Sequence, residues 1–141
     1  MTDKKYFQLP PQDVDKYWDL FGPLVDNALK RVSDSDYTIF GIYHRLKTNQ
    51  WQLFFVLDGE QLNSVFVTCI VPFDTCAYLN VCVTSAAKGK KIDYSYMLDC
   101  YKEIARAFNC SKISAMGRKG WKKIMPKFGC EEKSLFIKEV D

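Results

Sequence analysis

The chain has 141 residues, the length of one domain, and half of it would be too short to bury a separate core. We therefore expect a single domain over residues 1–141. A composition of 48% hydrophobic, 15% aromatic and 26% charged residues excludes disordered, collagen-like and coiled-coil chains. The N-terminus lacks the apolar run of a secretion signal, and no uncharged stretch of 18 residues follows, so we expect a cytoplasmic protein with no membrane partner.

The net charge of +3 is unevenly distributed along the chain. Residues 1–84 hold seven Lys and Arg against ten Asp and Glu, whereas residues 85–128 hold eleven against three. This basic segment indicates a face that meets an anionic partner. A solvated lysine-rich surface explains the same charge equally well.

The cysteines predict a reducing environment rather than a disulfide framework. None of the six forms a C-x-x-C pair, and they stand among apolar neighbours, which is typical of free, mostly buried thiols. They are Cys69, Cys76, Cys82, Cys100, Cys110 and Cys130. His44 is the only histidine, so we expect no metal site and interpret His44 as a surface or helix-end residue.

The first part of the chain predicts a strand and two helices. Residues 6–9 form a short strand that ends at two prolines, and apolar spacing over residues 14–29 indicates a helix broken at Gly22-Pro23. The polar cluster 33–36 offers N-cap oxygens for a second helix with apolar positions between 39 and 46. Residues 37–40 could also be extended.

The middle of the chain predicts a meander followed by a long helix. Apolar runs at 51–57, 65–71 and 77–84 are joined by short turns, which favours three antiparallel strands. Three-and-four spacing between residues 94 and 108 predicts the clearest helix in the chain. Asp93 is its expected N-cap and Asn109 its expected end.

The last part predicts strand, helix and strand. Residues 110–116 form a short strand, which a helix separates from strand 77–84, so the two are expected to be parallel neighbours. A shorter helix over 121–128 ends at Gly129, and residues 135–140 supply a final strand.

This order of elements resembles the GNAT superfamily of acetyl-CoA-dependent N-acetyltransferases over essentially the whole chain. The segment GRKGWKKIMPKFGCEEKSLFIKEV, residues 117–140, resembles the last helix and strand of short GNAT-like proteins found in tailed bacteriophages. WQLFFVLDGEQLNSVFVTCIV, residues 51–71, resembles the central hairpin of that group. The resemblance implies an α/β (α+β) fold with a mixed, mostly antiparallel sheet of about six strands and helices on both faces. For a phage protein it also implies the host cytoplasm.

The resemblance further implies an acetyl-CoA site where strands 77–84 and 110–116 splay apart. Residues 81–85 would pair with pantetheine, and the loop 86–92 would wrap the pyrophosphate at a helix N-terminus, where amides and lysines favour anions. The implied cofactor-binding residues are Val81, Cys82, Val83, Ser85, Lys88, Gly89, Lys90 and Lys91.

Two motifs depart from the family at three positions. In the pyrophosphate signature Q/R-x-x-G-x-G/A, Gly89 is the only match, since Ala86 and Lys91 occupy the other two positions. The tyrosine found in many members four residues before the last glycine is Met125 here, and a thioether cannot protonate a thiolate. The catalytic residues therefore stay unassigned, and the acceptor is an unknown amine or protein.

Three hypotheses follow. The first is an acetyltransferase in which an amine attacks the acetyl-CoA thioester directly. The second is a catalytically inactive GNAT-fold phage protein that serves in binding, host interaction or virion assembly. The third, a nucleic-acid binder that uses the basic segment, ranks last because no nucleic-acid motif is present. We interpret Cys82 as a buried strand thiol, Tyr94 and Tyr101 as core residues, and Trp121 as core rather than a pocket cap.

Overall fold

The computed structural model describes residues 3–31, 36–116 and 121–140. Its elements are β1 (Lys4–Leu9), α1 (Val14–Arg31), α2 (Ile39–Lys47), β2 (Gln52–Asp58), β3 (Gln61–Pro72), β4 (Ala77–Ala86), α3 (Tyr94–Ala107), β5 (Lys112–Ala115) and α4 (Trp121–Ile124). Single 3₁₀ turns lie at Pro11–Asp13 and Met125–Phe128. No helix in these parts of the chain is long and apolar enough to cross a bilayer.

One sheet of five strands organises the described part of the chain. Its strands lie in chain order, β1-β2-β3-β4-β5, and the first three pairings are antiparallel. The pairing of β4 with β5 is parallel, as expected for two strands joined by a helix. The predicted α/β (α+β) fold with a mixed, mostly antiparallel sheet is therefore confirmed, with five strands instead of about six.

Helices cover both faces of this sheet, which explains the long apolar runs in β2 and β3. On one face Leu53, Val65 and Val67 pack beneath α1 and α2. On the other face Phe54 and Phe66 pack against α3. Successive residues of each strand thus enter different cores, and the central positions of both strands are apolar.

Helix α1 is continuous, so the predicted break at Gly22-Pro23 is wrong. Phe21 and Val25 are buried on either side of these residues, and their packing holds the helix together. Pro23 faces solvent, where water can hydrogen-bond the carbonyl that loses its partner. Gly22 is buried against the Trp18 indole, and a Cβ at Gly22 would lie 3.0 Å from Trp18 Cε2.

The second helix begins later than the polar cluster suggests. Its N-cap is Thr38, whose side chain accepts a hydrogen bond of 3.0 Å from the Gly41 N–H. Residues 33–35 of the predicted cap lie outside the described part of the chain, and Asp36 is not the cap. Residues 39 and 40, where an extended chain was the alternative, are helical.

The expected meander and the long helix are confirmed. Gly59, with φ of +63°, turns β2 into β3, and Asp93 caps α3 by accepting a 3.1 Å hydrogen bond from the Tyr96 N–H. Asn109 follows α3 with φ of +58°. After α4 and its 3₁₀ turn, Gly129 ends the segment with φ of +79°.

The predicted last strand is wrong. Residues 135–140 are described without regular structure, and all their side chains are exposed, up to 97% for Val140. A strand requires a neighbour to satisfy its backbone groups, and β5 pairs only with β4 among the described residues.

Candidate functional site

The sheet opens between β4 and β5. Their parallel pairing covers only four positions, from Tyr78 opposite Lys112 to Val81 opposite Ala115. Strand β4 continues to Ala86 without β5 beside it. The predicted splay between these strands is therefore present, and it begins directly after Val81.

A β-bulge lies in β4 where the splay begins. Val81 pairs with Thr68 and Val83 pairs with Val67, which leaves Cys82 without an opposite residue in β3. A bulge interrupts the ladder locally and turns side chains that would otherwise alternate. Leu79 packs in the α3 core, whereas Val83 packs in the core beneath α1 and α2, although period two would place them on one face.

A cleft occupies the space that the splay creates. The end of α1, the bulged part of β4, the start of α3, the end of β5 and the start of α4 each contribute to its lining. The lining residues are Ala28, Arg31, Val81, Cys82, Val83, Thr84, Ile92, Tyr94, Met116 and Trp121. Chain segments distant in sequence thus meet at one concave site, the usual arrangement for small-molecule binding.

The predicted site residues separate into two groups. Val81, Cys82 and Val83 line the cleft, whereas Ser85 is buried behind it with 3% exposure. The other four are exposed and lie in the loop between β4 and α3: Lys88, Gly89, Lys90 and Lys91. Their role in cofactor binding stays a prediction.

The loop after β4 contains a tight turn. The Lys90 N–H donates a 2.9 Å hydrogen bond to the Ala87 carbonyl, and Gly89 supplies the positive φ of +77°. A Cβ on Gly89 would meet no atom within 4 Å. The Lys90 ammonium donates a 2.6 Å hydrogen bond to Gln61 at the start of β3. This hydrogen bond attaches the loop after β4 to the β2–β3 hairpin.

The N-terminus of α3 already carries a negative charge. Asp93 caps the helix and pairs with Lys4, whose Nζ lies 3.7 Å from Asp93 Oδ2. A helix N-terminus attracts anions through its free N–H groups and its dipole. Because the Asp93 carboxylate satisfies the Tyr96 N–H, an incoming phosphate would meet a weaker field than an uncapped helix provides.

Tyr94 and Trp121, which the sequence pattern predicted to be core residues, are both part of the cleft lining. Trp121 packs edge-on against Tyr94, with ring centroids 6.2 Å apart, and both rings line the cleft. The Trp121 indole nitrogen is buried and has no acceptor among the described residues. A buried donor without a partner is costly. Because this nitrogen is covered, a ligand oxygen would satisfy it only if the Trp121 ring turned toward the cleft.

Tyr101 behaves as the sequence predicted. Its ring packs edge-on against Phe66 at 5.0 Å, and its hydroxyl shares a 2.8 Å hydrogen bond with Thr84. Burial raises the pKa of Tyr101 above its ordinary value, so its hydroxyl stays protonated. Tyr94, two turns earlier in α3, lines the cleft instead.

Arg31 is a further cleft residue that the sequence did not indicate. It is the last residue of α1 and brings a permanent positive charge to the cleft. Met125 starts the 3₁₀ turn after α4 and is not among the lining residues. His44 is exposed in the last turn of α2, as expected.

The described cysteines are free thiols, of which Cys69, Cys100 and Cys110 are buried and Cys130 is exposed. Burial raises the pKa of the Cys100 thiol to about 11. Within residues 3–31, 36–116 and 121–140, no three His, Cys, Asp or Glu side chains come close enough together to hold a metal ion.

Solved structures share this fold, whereas no protein-family model and no curated protein sequence matches the chain. A possible acetyltransferase from Clostridium difficile 630 aligns with a TM-score of 0.71 and 10% identity over 98% of this chain and 97% of its own. A predicted acetyltransferase from Clostridium acetobutylicum, solved with acetyl-CoA, aligns with a TM-score of 0.70 and 12% identity over 97% of this chain and 96% of its own. A ribosomal-protein-alanine N-acetyltransferase from Brucella melitensis aligns with a TM-score of 0.68 and 15% identity over 98% of this chain and 99% of its own.

Proposed function

We propose that this chain is a GNAT-type N-acetyltransferase that moves an acetyl group from acetyl-CoA to an amine of an unknown acceptor. The observation that carries the proposal is the cleft at the β4–β5 splay, which holds an indole N–H without an acceptor among the described residues. The full-length similarity to acetyltransferase structures, one of them with acetyl-CoA, supports the same assignment. Because the sequence identities are 10% and 12%, this similarity supports the fold alone.

The cleft fits the thioester end of acetyl-CoA better than its pyrophosphate. Apolar walls at Val81 and Val83 suit the pantetheine chain, and the Trp121 N–H suits an amide or thioester oxygen. The bulge at Cys82 interrupts the β3–β4 ladder beside the same wall. Acetyl-CoA would supply an activated acyl group, and the chain would orient that group towards an amine.

Tyr94 and Arg31 are the residues to which we assign chemistry in this proposal. The Tyr94 phenol lines the cleft and is the group suited to hold a proton for a leaving thiolate. The Arg31 guanidinium also lines the cleft and suits a phosphate oxygen. The role assigned to Tyr94 replaces that of the tyrosine missing at position 125.

Calorimetric titration of the reduced protein with acetyl-CoA and with CoA tests the proposal. We expect saturable binding and a melting temperature that rises with ligand concentration. Trp121→Phe keeps an aromatic ring at this position and removes the N–H donor, so it should weaken binding severalfold while the fold is unchanged. Tyr94→Phe should leave binding intact and lower turnover of any acceptor found. No heat and no thermal shift at millimolar ligand would refute the proposal.

The loop after β4 has a matched control. Gly89→Val forces a β-branched residue to adopt a φ of +77°, and Gly129→Val does the same at +79° after the last 3₁₀ turn; a Cβ at either position would meet no atom within 4 Å. Both variants should lose similar stability. Only Gly89→Val, alone or with Lys90→Glu, should also lose affinity for acetyl-CoA if this loop wraps the pyrophosphate.

A catalytically inactive phage protein with a binding, host-interaction or assembly role is the alternative. The Asp93 carboxylate at the start of α3 and the partial pyrophosphate signature favour it. Large apolar side chains are also exposed, among them Phe40 at 75% and Phe136 at 94%. An absence of acetyl-CoA binding in the titration would select this alternative.

A further inference from the structure

Two thiols meet beside the cleft. Cys69 of β3 and Cys82 of β4 have their sulfur atoms 3.6 Å apart. Asn80 lies opposite Cys69, and alternation along β4 places Cys82, two positions later, on the same face, while the bulge leaves Cys82 without an opposite residue in β3. Cys82 also lines the cleft, so the pair of thiols lies directly beside the cleft wall.

An amide is fixed against both sulfur atoms. The Ser114 hydroxyl of β5 donates a 3.1 Å hydrogen bond to Asn80 Oδ1, which determines which end of the amide faces the thiols. Asn80 Nδ2 then lies 3.5 Å from the Cys82 sulfur and 3.8 Å from the Cys69 sulfur. Donors directed at sulfur stabilise a thiolate.

The electrostatic surroundings distinguish the two thiols. A hydrogen bond from the Cys82 thiol lowers the pKa of Cys69 below its ordinary value, although burial opposes this shift. Asn80 and the positive charge of Arg45 act in the same direction. The same contact with Cys69, together with burial, raises the pKa of Cys82. Cys69 is therefore the thiolate of the pair, and Cys82 is the neighbouring thiol that can resolve an oxidised product.

We propose that Cys69 and Cys82 form a peroxide-reactive dithiol site that closes to a reversible disulfide across the β3–β4 pair. The sulfur atoms have to approach by about 1.5 Å to reach the usual S–S bond length of about 2.05 Å. Rotation about side-chain torsions of two residues on adjacent strands provides a movement of that size. The proposal rests on the geometry of this pair and is independent of the proposed acetyltransferase activity.

The reaction requires a peroxide as the oxidant. The Cys69 thiolate attacks one peroxide oxygen, the O–O bond breaks, and hydroxide leaves, which gives a sulfenic acid on Cys69. The Cys82 sulfur, as its thiolate, then attacks the Cys69 sulfur, the S–O bond breaks, and a second hydroxide leaves. The two thiol protons convert both hydroxides to water. Both sulfur atoms are oxidised, and the two peroxide oxygens are reduced.

Peptide mapping after oxidation tests the proposal. Reduced full-length protein is exposed to a small molar excess of hydrogen peroxide, alkylated, and digested with chymotrypsin. Trypsin is unsuitable, because residues 48–87 contain no Lys or Arg and Cys69, Cys76 and Cys82 stay in one peptide. We expect the six thiols to fall to four and peptides 67–73 and 80–94 to be linked. Dithiothreitol should separate them again.

Variants distinguish a built site from random oxidation. Cys82→Ser should accumulate a sulfenic acid at Cys69 that dimedone labels, and Cys76→Ser should leave the 67–73 to 80–94 link unchanged. Faster oxidation of exposed Cys130, links that involve Cys76, or a sulfinic acid at Cys69 with Cys82 still alkylated would each overturn the proposal. The mapping of the unmutated protein decides the question even if a variant does not fold.

Discussion

The cap of α3 offers a direct test of how this structure balances stability against anion binding. Asp93→Ala removes the acceptor of the Tyr96 N–H, the charge at the helix N-terminus and the pair with Lys4. The cap contributes about 1 kcal/mol, and the two exposed charge interactions together contribute about 0.5 kcal/mol. Asp93→Ser retains an oxygen that caps the helix and loses only the charge.

We therefore expect Asp93→Ala to lower the free energy of unfolding by about 1.5 kcal/mol and Asp93→Ser by about 0.5 kcal/mol. At this chain length the melting temperature should fall by about 5 °C and about 2 °C, respectively. Urea unfolding and thermal scans measure both. Because the two variants remove the same carboxylate, the proposed function predicts that both bind acetyl-CoA about two- to fivefold more tightly. Equal stability of the two variants would refute the capping assignment, and weaker binding in both would refute a phosphate site at this helix.

Three further predictions concern stability. Pro23→Ala should raise the free energy of unfolding by about 1–2 kcal/mol, because it restores a helical hydrogen bond at an exposed position, and urea denaturation measures this. Phe66→Ala should cost about 3–5 kcal/mol in the same assay, since Phe66 is fully buried, whereas Phe136→Ala at a 94% exposed side chain should change stability by less than about 0.5 kcal/mol. A hydrogen bond from Lys47 holds the pKa of Asp15 below its ordinary value, so the ionised Asp15 stabilises the fold above that value and the contribution disappears as the pH falls. Asp15→Asn should accordingly be less stable than the unmutated chain near neutral pH and equal to it near pH 2, a difference that denaturation at both pH values detects.

Local patterns predicted most of the fold. The three-and-four spacing after Asp93 predicted α3, and the apolar runs on either side of Gly59 predicted the β2–β3 hairpin. Pro23 was misleading because packing of the buried face of α1 outweighs one lost hydrogen bond at a solvated position. The run 135–140 has the composition of a strand but lies beside no partner among the described residues.

The site was harder to predict than the fold. Val81, Cys82 and Val83 followed from a resemblance, but Arg31 and Trp121 come from helices at opposite ends of the chain. No spacing rule connects residues 31 and 121, since only the parting of β4 from β5 brings them to one cleft. The orphaned indole N–H is a property of three-dimensional packing and has no signal in the sequence.

The bulge at Cys82 lets β4 hold one more residue than the part of β3 with which it pairs. Leu79 lies in the core that packs against α3, and Thr84 faces the same side, where its hydroxyl shares a hydrogen bond with Tyr101. The two residues are five positions apart, so simple alternation would place them on opposite faces of the sheet. Deletion of Cys82 would remove the bulge but leave Val81 opposite Thr68 and Val83 opposite Val67, so every later side chain of β4 would keep its present face. Val83 would stay in the core beneath α1 and α2. A one-residue deletion at position 82 should therefore be tolerated better than an insertion there, which would add a second unpaired residue to β4.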